Sequence, residues 1–135
     1  MIDTDWIGCS RCSRKIGVTS PACPHCGEPV ALVRGVHYTR QVDAIERLKR
    51  EGKHAEAAQL LLECIAATEA EARRRNWKPA PGYYRNLAIV YRKEHRYADE
   101  VALLERAQGI LGGSFEAERL AKARQLAKQR SVNRA

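Results

Sequence analysis

The sequence predicts a mainly α protein. A small four-cysteine metal module leads into an α-solenoid-like set of about five helices, arranged as two repeated hairpins and a C-terminal helix. Three observations predict this. Cys9, Cys12, Cys23 and Cys26 read Cys-x2-Cys-x10-Cys-x2-Cys. From Tyr38 on, Ala, Leu, Glu, Arg, Lys and Gln dominate, and apolar residues recur at three- and four-residue steps. The helical part also repeats itself at a spacing of 43 residues. The expected division is 1–35 for the metal module and 36–135 for the helices.

Each Cys-x2-Cys hook bends the backbone so that two sulfurs converge on one point. Two facing hooks complete a four-thiolate shell, with zinc–sulfur bonds near ~2.3 Å. In the second hook, Cys23-Pro24-His25-Cys26-Gly27, the glycine can take the left-handed angle that turns the chain back and aims amide N–H groups at sulfur. The first hook has Ser13 in that place, a less favourable residue. His25 reads as a solvent-facing knuckle residue, with a fifth ligand as the alternative. Four protein sulfurs leave no open coordination position, so the metal is expected to act as a staple, not a reagent. About thirty residues cannot bury enough apolar surface to fold alone, and metal binding replaces the missing core.

Over about residues 5–33 the segment resembles a zinc ribbon of the rubredoxin-like kind. The resemblance implies one structural Zn2+ held by Cys9, Cys12, Cys23 and Cys26. Iron suits the same shell, and two disulfides or free thiols are the other readings. Met1-Ile2-Asp3-Thr4-Asp5 is polar and acidic, with no apolar run after it. No secretory leader is therefore expected, and a reducing cytoplasm favours metal ligation over disulfides.

A linker or short strand is expected over residues 30–36. The first helix runs from about Thr39 to Glu51, with Val42, Ile45 and Leu48 inward and Gly52 ending it. The second starts near His54 and reaches about Arg75, with Ala55, Ala58, Leu62 and Ile65 on one face. Pro79-Ala80-Pro81 breaks the chain, and Pro81 suits the first turn of a third helix, to about Glu94. That helix carries Tyr84, Leu87, Ala88 and Tyr91. A fourth, from about Tyr97 to Leu111, carries Val101, Leu104 and Ala107. Gly112-Gly113 breaks it, and Ser114 is the expected N-cap of a fifth helix that docks through Leu120, Ala123 and Ala127. Cys64 reads as a small buried hydrophobe.

A shift of 43 residues lays Leu48-x3-Gly52-Lys53-His54-Ala55-Glu56 on Tyr91-x3-His95-Arg96-Tyr97-Ala98-Asp99. Two helix pairs with equivalent turns suggest a solenoid. The second pair resembles a tetratricopeptide repeat through Tyr84, Leu87, Ala88, Tyr91, Tyr97, Leu104 and Ala107. The first matches through Ile45, Leu48, Gly52 and Ala57. The period exceeds the family's usual ~34 residues, Glu100 stands where the family prefers Ala, and the closing proline is missing. An ordinary helical bundle is the alternative. The last helix, the ribbon or a second subunit is expected to cover the exposed ends.

The formal charge is +8 with the thiols counted neutral. Four thiolates around a divalent ion bring it to about +6. The basic excess belongs to residues 36–135. No apolar run approaches the ~20 residues of a membrane span. No phosphate loop, His-Glu-x-x-His or nucleophile motif is present, so no enzymatic activity is expected.

Two binding functions remain. The resemblance to tetratricopeptide hairpins implies an adaptor that holds a protein, with Tyr84, Arg85, Asn86, Arg92 and Lys93 as contact candidates, and the basic excess favours an acidic partner. Nucleic-acid binding is the alternative. Its candidates are Arg11, Arg14 and Lys15 in the first hook and Arg73-Arg74-Arg75-Asn76-Trp77-Lys78, where cations flank a stacking ring. The basic tail from Arg119 to Arg134 adds to it. Helix-dipole stabilisation and solvation account for the same cations without a ligand.

Overall fold

The structure, a computed structural model, describes residues 6–134; Met1 to Asp5, on which the expectation about a secretory leader rests, and Ala135 lie outside the described residues. Two small antiparallel hairpins precede five helices. Strand β1 (Trp6–Gly8) pairs with β2 (Lys15–Gly17), Ile7 opposite Ile16. Strand β3 (Leu32–Val33) pairs with β4 (Val36–His37). A 3-10 turn at Tyr38–Gln41 leads into α1 (Val42–Arg50), α2 (His54–Arg75), α3 (Pro81–Lys93), α4 (Tyr97–Leu111) and α5 (Ala117–Arg134). Among the described residues, no helix is long and apolar enough to cross a membrane.

The second hairpin closes through Arg34-Gly35, both at positive φ (52° and 85°). A two-residue turn with both central residues left-handed matches the twist of paired strands. Ala31, Val33 and Tyr38 already belong to the helical core. The division expected after residue 35 therefore falls inside a hairpin that packs with the helices.

Each helix packs on the one that follows it. The two inter-helix turns share one construction. The amides of Gly52 and Lys53 donate to the carbonyls of Lys49 and Leu48; those of His95 and Arg96 donate to Arg92 and Tyr91. Gly52 and His95 both take positive φ, 72° and 59°. The 43-residue repeat is thus a repeat of turn geometry, with a histidine tolerating what glycine adopts freely.

The core is built from Ile45, Leu60, Leu61, Leu87, Leu104 and many alanines. Three sequence expectations need correction. Val42 (46% exposed) and Leu62 (41%) point outward, because Ile45 and Leu61 already fill the inner positions. Ala55 is also exposed. The first helix begins later than expected, since the chain first makes the 3-10 turn. Ser114 is not an N-cap: residues 113–116 form turns, Glu116 takes φ 48°, and α5 starts at Ala117. As expected, α5 lies on α4 through Leu120 and Ala123, and Ala127 is half-buried.

Glu100 sits fully buried where a small residue was expected. Its carboxylate accepts from Arg92 Nε at 3.1 Å and Arg119 Nη1 at 3.4 Å, tying α3, α4 and α5 together. A buried charge is tolerated only with partners of this kind. Glu100→Gln removes the charge and leaves two arginines facing an amide, and is expected to cost about 1–3 kcal/mol. Arg96 makes exposed pairs with Asp99 and Glu94; Arg96→Ala should cost under about 1 kcal/mol. Urea unfolding of the two variants checks the order.

Candidate metal centre

The two hooks are built alike, 14 residues apart. The amide of Ser13 donates to the Cys9 carbonyl at 3.0 Å, and that of Gly27 to the Cys23 carbonyl at 2.9 Å. The Arg11 and His25 amides donate to the sulfurs of Cys9 and Cys23, each at 3.4 Å. The Cys9 and Cys23 amides close the loops on the carbonyls of Arg14 and Glu28, each at 2.9 Å. Gly27 takes φ 79° as expected, and Ser13 takes 68°. The serine carries a left-handed cost that glycine avoids.

The four sulfurs lie within 4.8 Å of one another. Cys9 and Cys26 are 3.6 Å apart, Cys12 and Cys23 3.7 Å. A disulfide needs about 2.05 Å, so the thiols are free. A tetrahedral shell with metal–sulfur bonds of ~2.3 Å has edges of about 3.8 Å. Cys9, Cys12, Cys23 and Cys26 therefore form a possible metal site, and the hooks are already spaced for it. Burial pushes the Cys9 thiol up, but the Cys12 and Arg11 amides and the neighbouring thiols outweigh it and bring it down to about 6. At Cys26 the Glu28 amide works downward, yet burial and the other three sulfurs carry it up to about 11. Four protons cannot leave four touching sulfurs independently; a cation resolves the conflict.

Sequence reasoning missed the groups that seat this module on the helices. Glu28, 6% exposed, faces the end of α2. It accepts from Arg74 Nε and Arg75 Nη2, both at 3.3 Å, and Arg74 also reaches the Pro29 carbonyl. One layer further in, Glu71 accepts from the Tyr38 hydroxyl at 2.7 Å, and His37 Nε2 stands 3.7 Å from it. The available signal was an acid two residues past a ligating cysteine, lone in its segment.

The candidate contact residues scatter. Tyr84 is no surface residue: it is fully buried and its hydroxyl donates to Glu69. Arg92 is engaged with Glu100 and the Arg119 carbonyl. Arg85 is exposed and pairs with Glu116, Asn86 accepts from Lys49, and Lys93 is exposed. The nucleic-acid candidates are not one patch. Arg74 and Arg75 hold Glu28; Arg73 stays exposed. Trp77 is half exposed, and Lys78 donates to the Leu111 carbonyl. Arg11 is exposed, Arg14 meets the exposed His25, and Lys15 lies over the Trp6 ring at 4.3 Å. In the tail, Arg119 and Arg124 pair with Glu100 and Glu105. The Arg134 side chain lies outside the described ones. Cys64 is buried as expected, and burial carries its thiol up to about 11.

Comparison with family models, curated proteins and solved structures gave no match to this chain.

Two outcomes follow from the seat and the hooks. Ser13→Gly relieves the left-handed serine and should raise the stability of the metal-loaded protein by about 0.5–1 kcal/mol, read by thermal unfolding with and without chelator. Burial would raise the Glu71 carboxyl, but His37 and Tyr38 hold it below its ordinary 4.5. A lowered folded value means the contribution is complete above about pH 4.5 and fades as pH drops through that lower value. Glu71→Gln should flatten this acid limb, and an unchanged limb would show that other groups govern it.

Proposed function

We propose that this chain is a non-enzymatic zinc-binding adaptor of the cytoplasm whose helical hairpins hold another protein. The seating of the metal module carries this reading. Glu28 ties the module to the last turn of α2, so the four-thiol site serves to hold the front of the chain on the helices. Four thiol donors with tetrahedral spacing suit zinc, and a closed shell offers no position for substrate. The repeated turns support reading the hairpins as tetratricopeptide-like. α5 packs on α4 and the β3–β4 hairpin packs on α2, which lessens the need for a second subunit.

The net positive charge favours an acidic protein over a neutral one. Nucleic-acid binding is the second reading, weakened because Arg74, Arg75, Arg119 and Arg124 are held by carboxylates of the same chain. The deciding experiment is a titration with short single-stranded DNA and RNA at low and moderate salt. An adaptor shows no saturable binding, carries stoichiometric zinc by elemental analysis, and retains a protein partner through residues 38–111. Tight oligonucleotide binding that fades steeply with salt gives the lead to the second reading.

A further inference from the structure

We infer that the four-thiol site is also a site of oxidative modification: a peroxide joins Cys26 to Cys9 and Cys12 to Cys23, and the two bridges release the metal while replacing it as the staple of the module. This rests on the metal-binding reading and adds a chemical trigger to it. Two sulfur–sulfur contacts are short, 3.6 and 3.7 Å, and both run from one hook to the other. Each couples a half-buried sulfur to a buried one, Cys26 to Cys9 and Cys12 to Cys23. An oxidant arriving from solvent therefore meets Cys26 or Cys12 first, and the sulfur in contact with it belongs to the opposite hook. The surroundings are electropositive. Arg11 in the first hook, His25 in the second and Arg14 between them are exposed, with Arg14 Nη1 3.4 Å from His25 Nδ1. No Asp or Glu occurs from Trp6 to Gly27. Partly exposed cysteines among cations are the ones that hydrogen peroxide reaches most easily. Cys64, buried in the helical core, lacks that setting.

The chemistry closes at each pair. The thiolate of the half-buried cysteine attacks one peroxide oxygen; the O–O bond breaks, hydroxide leaves, and the sulfur becomes a sulfenic acid. The buried thiolate then attacks that sulfur; the S–S bond forms, the S–O bond breaks, and a second hydroxide leaves. Two electrons pass from each sulfur pair to one hydrogen peroxide, so two peroxides oxidise the whole site. A disulfide sulfur has no negative charge with which to hold a cation, and the ion leaves. The bridges are nested, between cysteines 17 and 11 positions apart, and both tie one hook to the other. The β1–β2 pairing and the Glu28 contacts with Arg74 and Arg75 take no part in the reaction, so the module stays folded and seated on α2 without its metal. Bridges within the hooks, Cys9 to Cys12 and Cys23 to Cys26, would instead leave the two hooks unconnected.

The test uses the full zinc-loaded chain, its zinc first counted by elemental analysis, with hydrogen peroxide added from two equivalents upward. One zinc per chain should pass to a chromophoric chelator, and a dithiol reductant with fresh zinc should restore the starting protein. Trypsin cuts after Arg11, which separates Cys9 from Cys12, and leaves Cys23 and Cys26 on one peptide. Non-reducing mass spectrometry should find both first-hook peptides joined to that peptide. Fragmentation between Cys23 and Cys26 should assign Cys9 to Cys26 and Cys12 to Cys23, with Cys64 still a thiol. Brief trypsin treatment of the native protein should cut after Lys15 at least about tenfold more slowly in the oxidised form than in the reduced, chelator-stripped form. Zinc retained against excess peroxide, bridges closed within each hook, Cys9 paired with Cys23, or sulfinic acids without bridges overturn the inference and leave the metal reading standing. Oxidised protein that is cut as fast as the stripped form does the same. A starting protein without stoichiometric zinc overturns both.

Discussion

The front of this chain depends on four sulfurs meeting at one point. Between Trp6 and Val30 the buried apolar set is little more than Ile16 with Cys9 and Cys23. So small a cluster cannot offset the entropy of ordering some twenty-five residues at about 1–2 kcal/mol each. The hooks are therefore shaped to hold their sulfurs at ligand spacing, each with the same three backbone bonds. Sulfurs gathered at ligand spacing fix the inside of the module and say nothing about where it sits. That second constraint comes from Glu28, whose carbonyl closes the second hook and whose carboxylate reaches α2. One residue thus couples metal geometry to the helical core.

This coupling accounts for the length of α2. Under the 43-residue shift, α4 (Tyr97–Leu111) falls on His54 to Thr68, and α2 runs on to Arg75. The overhang is not idle. It carries Glu69, which holds Tyr84 and Arg106, then Glu71, which holds Tyr38, then Arg74 and Arg75, which hold Glu28. Shortening α2 to the length of α4 removes the whole seat of the metal module. The overhang is part of what spaces the two helix pairs 43 residues apart.

Local structure was legible in the sequence because its causes are local. The cysteine spacing picked out the four sulfurs that come together, Gly27 showed where the second hook turns back, and Ser13 showed where the first turns less comfortably. The bounds of α2 and α4 follow from Gly52, the proline pair and Gly112. Periodicity was less decisive about which side of a helix faces in. Val42 read as core although it stands in the first turn of α1, ahead of the buried Ile45, and Leu62 because it follows Leu60 and Leu61 on an Ala-rich helix with apolar residues on several sides; Tyr84 read as surface because its hydroxyl's buried partner, Glu69, lies on another helix. The carboxylate partner of Arg74 and Arg75 was invisible for a different reason. Glu28 lies more than forty residues from its arginines, and no spacing rule joins them.

The basic composition has a structural meaning that net charge conceals. Every Lys or Arg ion pair between distant parts of the chain uses arginine among the described residues: Arg34 to Glu63, Arg74 and Arg75 to Glu28, Arg85 to Glu116, Arg92 and Arg119 to Glu100, Arg106 to Glu69, Arg124 to Glu105. The lysine pairs, Lys49 to Glu46 and Lys53 to Glu51, stay within a few residues. A core with few aromatic rings and many alanines lets helices approach closely but gives each joint little large apolar surface. A planar guanidinium on a long stem reaches across such a joint and meets a carboxylate with a geometry that an ammonium lacks. The exposed pairs among them add little stability; the buried carboxylates of Glu28 and Glu100 instead dictate which helix ends meet, because an unmatched partner there is costly. Arginine-rich segments in this chain are thus first of all joints, and only a cation left outside a joint, such as Arg73, is available to a second molecule.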